Sequence, residues 1–233
     1  MWPGWIKQAT VTSRKGTAEP RPKRENSPYF GVDDPGKRLA ITKDLLASHP
    51  LSGPDIRDAV LQSWESIFES RLGSGFHIGR EIKPVPQIMG FLLHALIPLE
   101  LAKNHDGWRA DADSSDKDLV YIPDKRFSIE IKTSTNPRQI FGNRSFGVDN
   151  PGKGKKAKDG YYLAINFDRW QDGSTERPRI RMIRYGWVDH TDWVAQKAET
   201  GQQSSLPPVV DNTQFLILYA ASSSSEQGTL EIF

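Results

Sequence analysis

Hydrophobic spacing in this chain changes period near Trp108, and neither an all-helical nor an all-strand architecture accommodates both halves. Before that point, Ile56, Val60, Trp64, Ile67 and Phe68 recur at helical spacing. Pro54 suits a first turn and Gly73 supplies a stop, so an amphipathic helix is expected from Pro54 to Leu72. A second helix is expected from Gln87 to Lys103. It is apolar on most sides through Phe91, Leu92, Leu93, Leu96 and Ile97, which predicts near-complete burial, and Pro98 should bend it. After Trp108, LVYI (119–122) and FSIEIK (127–132) flank the turn-forming stretch Pro123 to Arg126 and read as a hairpin. GYYLAINF (160–167), RIRMIRYGWV (179–188) and QFLILYA (214–220) read as further strands, with a short helix between Asp192 and Glu199. The sum is a mixed α/β layer fold.

The 233 residues suit one domain, expected over 39–233, preceded by a basic, Pro/Gly-rich arm over 1–38. No apolar run reaches the roughly 18 residues of a membrane span, and the opening MWPGWIKQ lacks a signal's apolar core, so a cytoplasmic protein is expected. The absence of cysteine excludes disulfide frameworks, thiolate metal sites and cysteine nucleophiles. Net charge is only +2, yet basic residues concentrate in two segments, 7–24 and 138–158, and point to a polyanionic partner. The octapeptide FGVDDPGK starting at Phe30 recurs as FGVDNPGK starting at Phe146. It is too short for a structural repeat, and both copies read as turns.

The chemistry concentrates in SSDKDLVYIPDKRFSIEIKTS (114–134), where Asp118 begins one strand and Glu130-Ile131-Lys132 closes the next. Phosphodiester cleavage needs a divalent cation to neutralise charge at phosphorus and a group to position the attacking water. Two carboxylates and a lysine meet that need. Glu130 and Lys132 share a strand face, and the carbonyl of Ile131 is available as a further oxygen ligand. Asp118 joins that face only if it pairs opposite one of them, which requires an odd-numbered loop or a bulge near 123–127. Asp124 falls at the hairpin tip, about 20 Å from Glu130 at ~3.3 Å per residue, and reads as a turn residue. Asp111, Asp113 and Asp116 are open as outer groups or as a solvated acidic loop. The alternative for the whole motif is an exposed hairpin with an ordinary surface ion pair. The five histidines lack metal-ligand spacing, and His190 reads as a cap or packing residue.

The stretch DLVYIPDKRFSIEIKTS resembles the active site of PD-(D/E)xK nucleases, with Lys117 where the motif's name places proline. IFGNRSFG, KKAKDGYYLAINFDRW and IRYGWVDHTDWVAQKAETGQQ extend the likeness, over about residues 55–220, to type II restriction endonucleases of the ScaI-like group. The resemblance implies a nuclease core with a mixed central β-sheet flanked by helices. It implies Mg²⁺ held by Asp118, Glu130 and the Ile131 carbonyl, with Lys132 assisting the nucleophilic water. It also implies a helical glutamate beside the metal, for which Glu100 is preferred to Glu69. The segment after the Glu-x-Lys strand is expected to face the duplex. Arg138 belongs to that DNA-binding segment; Gln139, Asn143 and Arg144 suit base contacts, and Lys153, Lys155 and Lys156 suit phosphates.

The expected activity is therefore site-specific hydrolysis of double-stranded DNA by a homodimer reading a palindrome and leaving 5′-phosphates. A cognate DNA methyltransferase would act on the same site without needing to bind this chain. Two rivals stand beside this reading: a repair or recombination nuclease of the same fold, and a DNA-binding regulator without catalysis.

Overall fold

The computed structural model of the protein describes residues 21–147, 157–197 and 201–222. Asp34 accepts a hydrogen bond from the Lys37 amide at 2.7 Å, and Pro35 follows at the first helical position, so the chain enters α1 (Pro35–Ala47) inside the segment expected to be an irregular arm. A reciprocal capping box between Ser52 and Asp55 starts α2 (Gly53–Glu69), whose Ile56, Val60, Trp64, Ile67 and Phe68 are buried as the spacing predicts. The short strands β1 (Arg71–Leu72) and β2 (Phe76–His77) form a hairpin ahead of α3 (Pro86–Asn104). This helix runs through Pro98 and buries Met89, Leu93, Ile97 and Leu101. It is not buried all round: Ile88, Phe91 and Leu99 are 48%, 67% and 56% exposed along one outward stripe. An all-apolar helix carries no phase signal, so its exposed side could not be read in advance.

The remaining elements are β3 (Trp108–Ala110), β4 (Leu119–Tyr121), β5 (Ile129–Ser134), β6 (Phe141–Asn143), β7 (Gly160–Phe167), β8 (Ile180–Val188), β9 (Val194–Ala195), β10 (Gln203–Ser205), α4 (Pro208–Thr213) and β11 (Phe215–Ala220). The central sheet has the order β11-β8-β7-β5-β4-β3, and only the β5–β7 pair is parallel. A parallel pair demands a long crossover. Here the crossover carries β6, which joins β10 and β9 in a small second sheet.

Alternation along the strands divides the core in two. Ile129, Ile131, Leu163, Ile165, Ile183 and Tyr185 meet α2 and α3 on one face. On the other, Tyr162, Ala164, Val188 and Phe215 meet Phe146, Trp193, Leu206 and Val210. No helix forms between Asp192 and Glu199 among the described residues. Asp189 and Asp192 cap each other around a single 3-10 turn (His190–Asp192), Trp193 then enters the second core, and Val194 pairs with Ser205. No described helix is long and apolar enough to cross a membrane.

Residues 21–29 dock on that turn. Arg21 donates to the His190 carbonyl at 2.7 Å and to the Phe146 carbonyl at 3.4 Å. Arg24 bonds His190 Nδ1 at 2.8 Å, and Lys23 pairs with Asp192, whose side chain is 1% exposed. Burial pushes the Asp192 carboxyl up from its ordinary range, and Lys23 opposes that push. A carboxyl raised in the folded state supports folding while protonated, and that support is lost as pH rises through its folded value. Lys23→Met is therefore expected to cost about 3 kcal/mol at neutral pH and much less near about pH 4. Urea denaturation at the two pH values measures the difference; an equal cost at both would show that the Asp192 charge is not its source.

Candidate active site

The register of β5 with β7 sets Glu130 opposite Tyr162 and Lys132 opposite Ala164, so both ionic side chains turn away from the helices. Leu119 pairs with Ile129, and the next position outward, Asp118, lies across from Glu130. An odd number of residues, 120–128, separates that pair, which is the parity the sequence required. Asp124 caps the hairpin tip by accepting from the Arg126 amide at 3.0 Å, as a turn residue does.

Asp118 Oδ2 accepts a hydrogen bond from the Ile131 amide at 2.7 Å. The N–H and C=O of one strand residue leave on the same edge, so the Ile131 carbonyl shares the edge that Asp118 occupies. Lys132 Nζ donates to Glu130 Oε1 at 2.5 Å. Asp118, Glu130 and Lys132 have side chains only 16%, 4% and 17% exposed. This is not a solvated surface pair, and its charges interact through a medium less screening than water. The loop leading in is tied down by ion pairs: Asp116 is buried between Lys125 at 3.0 Å and Arg109 at 2.8 Å, which hold its carboxyl down at about 2.

A cleft of about 970 Å³ opens beyond the C-terminal end of β5, between α3 and the small sheet. Its walls include Gln87, Gly90 and His94 of α3, Thr133 and Ser134 of β5, and Gln203 of β10. Gly90 permits this closeness, since a Cβ there would stand 2.7 Å from Thr133 Oγ1. One turn further, His94 brings Nδ1 within 3.6 Å of Asp118 Oδ2, with its side chain 33% exposed. Sequence reading left His94 among the scattered histidines. The usable signal was its spacing of four from Gly90, which fixes the cleft side of α3.

Glu100 does not join the group. Six residues beyond His94 it is rotated by roughly 240° about the helix axis. It pairs with Lys103 at 2.7 Å, in a separate depression beside Asp55, Asp58 and His105. Glu69, the other helical acid considered, is exposed at the end of α2.

The expected DNA contacts divide similarly. Arg138 donates to Asp211 and Asn212 at 2.6 and 2.7 Å, and Arg144 donates to the Gly201 carbonyl at 2.8 Å. Both guanidinium groups thus hold the chain together. Gln139 and Asn143 are exposed, and Asn143 Oδ1 accepts from Ser145 at 2.5 Å. Lys153, Lys155 and Lys156 lie outside the described residues. Sequence reading also missed the buried polar network that fixes the loop after β5. Asn166 donates to the carbonyls of Asn136 and Gln139 at 2.8 and 3.1 Å. Fully buried Arg184 contacts Asp211, the Arg138 carbonyl and, at 3.0 Å, Asn166.

Among the described residues, no three His, Cys, Asp or Glu side chains enclose a cation by themselves. Two carboxylates and a backbone carbonyl around Ile131 fit a hard divalent ion that keeps water ligands and borrows oxygen from a bound phosphate. A thiolate or multi-histidine metal does not fit this donor set.

Comparison with known proteins identifies the family. The family model described as ScaI restriction endonuclease matches residues 27–219. A curated relative, the type II restriction enzyme ScaI of Streptomyces caespitosus, is 64% identical over 217 residues, covering 93% of this chain and 95% of that protein. No solved structure matches the chain. By the extent of both matches, the chain belongs to the ScaI restriction endonuclease family.

Proposed function

We propose that this restriction endonuclease binds double-stranded DNA as a homodimer and, with Mg²⁺, hydrolyses one phosphodiester in each strand of a short palindromic site, leaving 5′-phosphates. The observation that carries the residue assignment is that Asp118 bonds the Ile131 amide while Glu130 and its partner Lys132 flank Ile131 on β5, all partly buried and near a cleft.

Asp118, Glu130 and the Ile131 carbonyl would hold the ion. When bound, it supplies charge neutralisation at the scissile phosphate and acidifies the attacking water. Lys132 holds its ammonium where that water enters and stabilises negative charge developing on phosphorus. Water adds to phosphorus, the bond to the 3′ oxygen breaks, and that oxygen takes up a proton. Gln139 and Asn143, exposed after β5, suit bidentate contacts to adenine. The dimer is supported by the outward stripe of α3, where Ile88, Phe91 and Leu99 give a second copy apolar surface next to the cleft.

Asp118→Ala, Glu130→Ala and Lys132→Ala are each expected to slow plasmid cleavage by roughly a hundredfold or more while leaving the folded circular-dichroism spectrum intact. Wild-type cleavage by any one of them removes that residue from the assignment. Chelation by EDTA should stop the wild-type reaction and added Mg²⁺ restore it. End-sequenced digests of a known plasmid should yield discrete fragments. A smear would indicate a nuclease without sequence choice, and an intact plasmid bound on a gel would indicate a DNA-binding protein without chemistry.

A further inference from the structure

We infer that Phe146 is a positioning residue for Lys132, its ring face holding the lysine ammonium against Glu130. The inference rests on the role proposed above for Lys132. The Lys132 ammonium lies 4.9 Å from the centre of the Phe146 ring and 2.5 Å from Glu130 Oε1. It is thus placed between a carboxylate and an aromatic face, with Lys132 17% exposed and Phe146 only 8% exposed. A lysine has four rotatable bonds and a strongly hydrated head, so a carboxylate alone fixes its direction poorly. The negative face of an aromatic ring adds a second attraction, and that attraction strengthens as water is excluded.

The ring is itself held in place. It packs edge-on to Trp193 at 5.1 Å, and glycine at position 142 makes room for it, since a Cβ there would stand 2.9 Å from the ring. Arg21 of the N-terminal segment donates to the Phe146 carbonyl at 3.4 Å. A second ammonium, that of Lys158, lies 5.4 Å from the same ring centre and donates to the Ser145 carbonyl. Phe146 therefore gathers two cations beside the carboxylate edge. Phe30, which opens the other copy of the octapeptide, is 52% exposed, so the shared sequence does not share this use.

The test is a series of fluorinated phenylalanines at position 146, which keep the ring's size while draining its negative face, assayed in single-turnover cleavage with Mg²⁺. The cleavage rate is expected to fall stepwise with fluorination, reaching about tenfold for the trifluoro ring. DNA affinity measured in Ca²⁺ should stay within about twofold, because only transition-state positioning is lost. Phe146→Tyr should retain the wild-type rate, and Phe146→Leu should lose as much as the trifluoro ring. Repeating the series in Lys158→Met should preserve the trend. A flat series, or a trend that vanishes without Lys158, overturns the inference. Full cleavage by Lys132→Ala overturns instead the reading on which it rests. Lys132→Ala inactive beside a flat series overturns the Phe146 role alone.

Discussion

The two-residue alternation of β5 is the constraint on which the rest of the molecule depends. Ile129 and Ile131 are fully buried toward α2 and α3, while Glu130 and Lys132 emerge on the opposite face. A slip of one residue would exchange the sets and drive a carboxylate and an ammonium into a close-packed apolar layer, at a cost far above the stability of a small domain. The parallel neighbour β7, which is buried along its whole length, fixes the register from one side. The bond from the Ile131 amide to Asp118 fixes it from the other. Stability and the placement of the ionic groups are therefore set by the same alternation: the hydrophobic effect positions those groups although it acts on none of them.

The legible part of the fold was the part written in hydrophobic period. α2, β7, β8 and β11 lie where the spacing put them, because each has one face or both faces in a core. α1 escaped notice because Thr42 is its only fully buried residue; its sole signal is the cap and proline at Asp34-Pro35. β6, β9 and β10 are two or three residues long and take their form from one another, which local propensity does not record.

The hairpin carrying Asp118, Glu130 and Lys132 was readable for a different reason. Ionic residues inside an apolar strand are costly, and parity leaves few ways to bring them together. Glu100 failed because an acid on an apolar helix reveals that it must be accommodated without revealing on which side. The intrachain bonds of Arg138 and Arg144 were not readable, because side-chain type does not distinguish a guanidinium meant for a nucleic acid from one bonded to a carboxylate or carbonyl of its own chain. Phe146 was invisible because its significance lies in what tertiary packing sets beside it, and His94 was marked only by its spacing from Gly90.

The docking of Arg21 and Lys23 has a consequence for how the enzyme comes into being. Their acceptors, the His190 carbonyl and Asp192, stand 169 positions downstream. A ribosome releases the basic segment first and its partners only when most of the chain has been made. Copies that stop early carry the hairpin without β8, β11 or the turn that receives the segment. Aborted translation products thus contain the ionic groups of the hairpin but not the scaffold that holds them in place.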